Sequence, residues 1–88
     1  MEPRSPEHAA YGLALRSFRN EVGLSQEQLA HEAELDRSYV SGIERGDRNP
    51  SLANILKLTD VLGIKVSELA REAEEILSDG GAKRSVRA

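Results

Sequence analysis

The chain is cut at short intervals by residues that stop and start helices. Gly23, Gly46 and Gly63 each close a run of helical hydrophobic spacing, and Ser25, Asp36, Ser51 and Ser67 stand where a new run begins. Glycine reaches the left-handed conformation that ends helices, and short oxygen-bearing side chains bind the free N–H groups at their starts. A chain punctuated this way cannot form one long helix, and no stretch alternates apolar and polar residues as a half-buried strand would. What remains is a set of short helices packed on one another, and 88 residues suffice for one such domain.

Five helices follow from this reading. Residues 1–6, with two prolines, form a loose leader. From Glu7 a first helix carries Tyr11, Leu15, Phe18 and Val22 on one apolar face and ends at Gly23. Ser25 and Gln28 make a capping box for a second, Gln26 to Glu34, with Leu29, Ala30 and Ala33 at helical spacing. Asp36 is the cap expected for a third, Arg37 to Arg45, with Val40 and Ile43 inward and Tyr39 partly so. Ser51 caps a fourth, whose apolar face is Leu52, Ile55, Leu56, Thr59 and Leu62 with Leu58 flanking. Ser67 caps a fifth, striped by Leu69, Ala70, Ala73, Ile76 and Leu77 and broken at Asp79-Gly80-Gly81. The folded domain is thus expected over residues 7–78, and residues 79–88, bearing Lys83, Arg84 and Arg87, form a disordered basic tail.

Composition removes several classes of function. Without cysteine there is no disulfide, zinc–thiolate site or thiol nucleophile. No apolar run approaches the ~20 residues of a membrane span, and the N-terminus has no apolar segment of a signal peptide, so a cytoplasmic protein is expected. His8 and His31 stand alone, and acidic pairs such as Glu74 and Glu75 lack any accompanying nucleophile or base, so no catalytic residue, metal ligand or cofactor is assigned. The formal net charge of −3 argues against a non-specific nucleic-acid coat, but not against a protein that gathers its arginines on one face.

Three segments carry a family likeness. Leu24-Ser25-Gln26-Glu27-Gln28-Leu29-Ala30, Tyr39-Val40-Ser41-Gly42-Ile43-Glu44-Arg45-Gly46 and Arg48-Asn49-Pro50-Ser51 resemble the helix-turn-helix of the XRE, or Cro/CI-like, regulators. Residues 35–45 are especially similar to the controller proteins of restriction-modification systems. The resemblance covers about residues 11–70 and implies an all-α, five-helix lambda-repressor-like domain that usually acts as a dimer. It also implies that Gln26 bonds a phosphate, and that Arg19 and Glu44 form a largely buried ion pair between the first and third helices.

The residues themselves agree with that likeness. Two capped helices in tandem present N–H groups and partial positive charge suited to phosphate, and in such a motif the second helix enters the major groove. Arg37, first after Asp36, has the reach for a bidentate contact to guanine. Ser38 and Ser41 lie on one face and suit either DNA contact or a filling role. Tyr39 suits core-edge packing or a hydroxyl contact. Gly42, costly inside a helix, completes the candidate base-reading positions and suits either a close approach of the helix to DNA or to its neighbour, or tolerated drift. Ser25, Arg16, Arg45, Arg48 and Asn49 complete the candidate backbone contacts.

The expected function is therefore a sequence-specific transcriptional regulator, not an enzyme, that binds a pseudo-palindromic operator in double-stranded DNA as a homodimer. Ile64, Val66, Leu69 and Ile76 are the candidate dimer surface. Repressor and activator fit equally; an activator would show RNA polymerase an acidic patch such as Glu32 and Glu34. The rival reading is an antitoxin-like module that binds a co-encoded protein and contacts DNA only secondarily.

Overall fold

The computed structural model describes residues 3–80. Five helices follow in order: α1 Pro6–Val22, α2 Gln26–Ala33, α3 Arg37–Arg45, α4 Leu52–Leu62 and α5 Val66–Gly80. No strand occurs among the described residues, and no helix there is long and apolar enough to cross a membrane. α1 packs along α5 and against α3, while α2 packs on α3 and α4. Leu15, Leu29, Val40, Leu58 and Leu69 form the centre of the core, and Ala10, Ala14, Ala30, Ala33 and Ala73 let the helices close around it.

Gly12 draws α1 onto α3. A methyl group on its Cα would run into the carbonyl oxygens of Ile43 and Glu44. Arg16 and Arg19 follow Gly12 by four and seven residues, so all three share one face of α1. The close crossing therefore delivers both arginines to the end of α3. At the same junction Gly46 adopts φ 82°, lies against the backbone of Ala9 and accepts the Arg4 N–H at 2.8 Å.

Several local expectations are corrected. The leader is shorter than residues 1–6, because Ser5 Oγ caps α1 through the His8 N–H and Pro6 starts the helix, where its missing N–H costs nothing. α2 stops at Ala33, and Glu34 takes the left-handed conformation (φ 60°, ψ 44°) in the place usually held by glycine. Asp36 has extended cap geometry, but its carboxylate makes no cap bond; its carbonyl accepts the Tyr39 and Val40 N–H groups instead. Ser67 lies inside α5, whose start is bound by Glu68 Oε1 accepting from Lys65 N at 2.7 Å. Asp79 and Gly80 continue α5, and the rest of the expected tail lies outside the described residues.

The apolar face of α4 is also redrawn. Leu58, taken as flanking, is fully buried, whereas Leu52 is 68% and Leu56 49% exposed. α4 is apolar on more than one side, so spacing alone leaves its inward face open; packing against α2 and α5 decides it. On α1, Val22 is likewise half exposed.

Candidate nucleic-acid interface

The capping box of α2 forms as the spacing requires. Ser25 Oγ accepts from Gln28 N at 3.0 Å, and Gln28 Oε1 accepts from Ser25 N at 2.8 Å. α3 follows after the short turn at Glu34–Asp36 and shows two sides. Val40, Ile43 and Glu44 are buried; Arg37, Ser38 and Arg45 are exposed. The amphipathic spacing of α3 thus anchors one side and leaves the first-turn residues Arg37 and Ser38 outward.

Glu44 is the anchor. Its side chain is fully buried, yet both oxygens are satisfied. Arg19 Nε donates to Oε2 at 2.6 Å and Arg19 Nη2 to Oε1 at 3.0 Å. Gln26 Nε2 donates to Oε1 at 2.9 Å and Arg16 Nε to the same oxygen at 3.3 Å. One carboxylate therefore joins α1, α2 and α3. The expected ion pair is present, but Arg16 and Gln26, expected at phosphates, also lean on it. Arg16 keeps 45% of its side chain exposed, whereas Arg19 is largely buried and spends Nη1 on the carbonyl of Leu24.

Burial alone would push the Glu44 carboxyl up, but hydrogen bonds from Arg19 and Gln26, the Arg19 charge and the Arg16 bond hold it below the ordinary carboxylate range. The hydrogen bond to Glu44 raises Arg19 against its own burial, and the carboxylate charge adds to that. A carboxyl depressed on folding stabilises fully above its unfolded pKa of about 4.3, and that stabilisation is lost as pH falls through the lower folded value. Urea unfolding followed over pH should show this acid-side loss, and Glu44→Gln should remove part of the slope. An unchanged slope in the variant would show that other carboxylates carry the acid sensitivity.

Beyond Glu44 the end of α3 is braced. Arg45 donates from Nε to Asp47 Oδ2 at 2.9 Å and from Nη1 to Ser41 Oγ at 2.6 Å, so Ser41 is occupied within the helix's own side-chain network. Gly42 is buried, and the close approach it permits is of a neighbouring side chain: a Cβ there would meet Arg48 Cγ and, at 3.0 Å, Asp47 Oδ1. Arg48 is exposed and lies over the Tyr39 ring, 5.9 Å from its centroid, within range of cation–π attraction. Tyr39 is half-buried, and its hydroxyl accepts from Asn54 Nδ2 at 3.0 Å. Asn49 is exposed in the loop.

The arrangement thus brings Arg37, Ser38, Tyr39, Arg45, Arg48 and Asn49 to α3 and the loop that follows, with Arg16, Ser25 and Gln26 at α1 and α2. Sequence reasoning missed Asn54, Asp47 and Gly12. Only Gly12 left a signal, a glycine within an apolar-periodic helix on the same face as two arginines. Among the described residues no group of His, Asp or Glu side chains is arranged to hold a metal ion.

A capped helix, a short turn and a second helix that buries one side and exposes its first turn define a DNA-binding helix-turn-helix. Comparison with known proteins agrees: the family model described as helix-turn-helix matches residues 15–69. The control protein C.MunI of Mycoplasma sp is 46% identical over 66 residues, spanning 74% of this chain and 89% of that protein. The crystal structure of the restriction-modification controller C.AhdI from Aeromonas hydrophila superposes with a TM-score of 0.73 at 52% identity, covering 74% of this chain and 98% of that one. The wild-type controller C.Esp1396I gives a TM-score of 0.73 at 32% identity, over 84% of this chain and 99% of that one. The chain belongs to the XRE-type helix-turn-helix family of transcriptional regulators, proteins that bind DNA and catalyse no reaction.

Proposed function

We propose that the protein is a controller-type regulator that binds a pseudo-palindromic operator as a homodimer in the cytoplasm, with α3 in the major groove. The observation that carries this reading is the division of α3 into a side locked by Glu44 and a side that exposes Arg37 and Ser38. Arg37 reads a base, and Tyr39 and Ser38 add contacts beside it. Arg16, Gln26, Ser25, Arg45, Arg48 and Asn49 meet the phosphates. Structures of C.Esp1396I include single replacements of an arginine, a threonine and a tyrosine at consecutive positions. Arg37-Ser38-Tyr39 is a run of similar kind and order.

The dimer surface is revised. Leu69 is 2% exposed and belongs to the monomer's core. Leu52 and Leu56 are the large apolar side chains that α4 leaves in water, and Ile64 and Val66 lie half-buried beside Leu56 along one groove. Ile76, which like Ile64 packs against the core, does not line that groove and is the weaker contributor. Leu56→Glu should raise the dimer dissociation constant by at least tenfold and leave a folded monomer, as measured by sedimentation. A variant that stays dimeric would place the interface elsewhere.

Selection of duplexes from a random pool at ~150 mM salt tests the whole reading. An inverted repeat with half-sites about 34 Å apart, or a multiple, is expected. Arg37→Ala should cost ~1–3 kcal/mol and relax preference at one base position. Arg48→Ala should weaken all sequences alike and reduce the salt slope by about one. Failure to enrich any sequence, with folded protein, would favour a partner protein over DNA as the principal ligand.

A further inference from the structure

Tyr39 has its hydroxyl's bonding role set from another helix. Asn54, in the first turn of α4, donates from Nδ2 to Tyr39 Oη at 3.0 Å. The backbone N–H of Asn54 is bound by Ser51 Oγ, so the residue is seated in the α4 cap whatever its side chain does. A phenol oxygen has one proton to give and lone pairs to receive with. Once Asn54 supplies the donor, the hydroxyl proton remains to be given. The Arg48 guanidinium lies over the ring, and Gly42 leaves the space that the Arg48 stem occupies.

We propose that Asn54 is a positioning residue for sequence recognition: by donating to Tyr39 Oη it presents the phenol as a hydrogen-bond donor, so that Tyr39 selects an acceptor atom on the DNA. This rests on α3 being the recognition helix. In the major groove guanine N7 and O6, adenine N7 and thymine O4 are such acceptors, as are phosphate oxygens anywhere on the backbone. Asn54 itself need not touch DNA; it acts through the tyrosine.

A double-mutant cycle on the selected operator, and on a panel carrying each single base change, tests this. Asn54→Ala should weaken binding about three- to tenfold, the range of one net hydrogen bond. In the Tyr39→Phe background the same change should alter affinity less than about 1.5-fold. Asn54→Asp, whose carboxylate only accepts, should draw the phenol proton to itself and lose binding as Tyr39→Phe does. Its added charge repels DNA in both backgrounds and cancels in the cycle. Loss of discrimination at one base position identifies a base-edge acceptor and supports the inference; uniform loss over the whole panel marks a phosphate contact and overturns the role in sequence recognition. Melting temperatures of the variants should stay within a few degrees of the wild type, because the backbone cap at Ser51 is untouched.

Equal losses from Asn54→Ala in both backgrounds would overturn the inference while leaving the recognition helix intact. An Asn54→Asp loss of the same size in the wild-type and Tyr39→Phe backgrounds would overturn it too, since the substitution would then cost only its charge and the amide would be the acceptor. If the wild type selects no operator at all, the recognition-helix reading falls, and the inference with it.

Discussion

Glu44→Ala is expected to destabilise the domain by ~3–5 kcal/mol, the cost of breaking a buried ion pair from one side. The variant keeps Arg19, whose side chain is 11% exposed, and removes the carboxylate that receives two of its N–H groups. Gln26 Nε2 loses the same acceptor. For a domain of this size each kcal/mol moves the melting temperature by roughly 4–8 °C, so a fall of about 12 °C or more is expected by thermal unfolding. Arg19→Ala should cost less, because Gln26 and Arg16 still reach the carboxylate. Near-equal and small losses from the two would mean that desolvation cancels the attraction and that the cluster contributes geometry without net stability.

Gly12→Ala is the second large effect, and its sign runs against helix propensity. On propensity alone alanine inside a helix gains roughly 1 kcal/mol over glycine. Here the new methyl would collide with two backbone carbonyls, at Ile43 and Glu44, which cannot rotate away as a side chain can. α1 must move off α3, at a typical overpacking cost of ~1–3 kcal/mol or more. The same shift carries Arg16 and Arg19 away from Glu44. A net loss of about 2 kcal/mol is expected in urea titrations. Gly63→Ala is the control: no atom lies near its would-be methyl, so only the strain of φ 72° remains. If Gly12→Ala proves the milder change, the close crossing of α1 and α3 is not the constraint it is taken to be.

Much of this molecule could be read from local signals. The bounds of α3 follow from a short turn, an apolar pair and a closing glycine, and the capping box at Ser25 and Gln28 forms as its spacing says. Such features depend on residues three or four apart, which a sequence displays directly. The misreadings share another character. Which side of α4 faces inward, and hence that Leu52 and Leu56 are exposed while Leu58 is core, depends on neighbours far away in the chain. Asn54 meets Tyr39 fifteen residues before it, and neither residue type announces the other. Asp36 shows the reverse limit: its type and backbone suit a cap, yet the side-chain bond is not made.

The Glu44 junction also separates two jobs within nine residues of helix. Val40, Ile43 and Glu44, which anchor α3 in the core, lie on its inner side, while Arg37 and Ser38 make no contribution to the core. Substitutions on the two sides should therefore add in stability with little coupling, as independent sites do. The first turn of α3 is in effect an interchangeable reading head: new side chains at Arg37 and Ser38 can redirect the protein to other operators while the mount that holds the helix stays as it is.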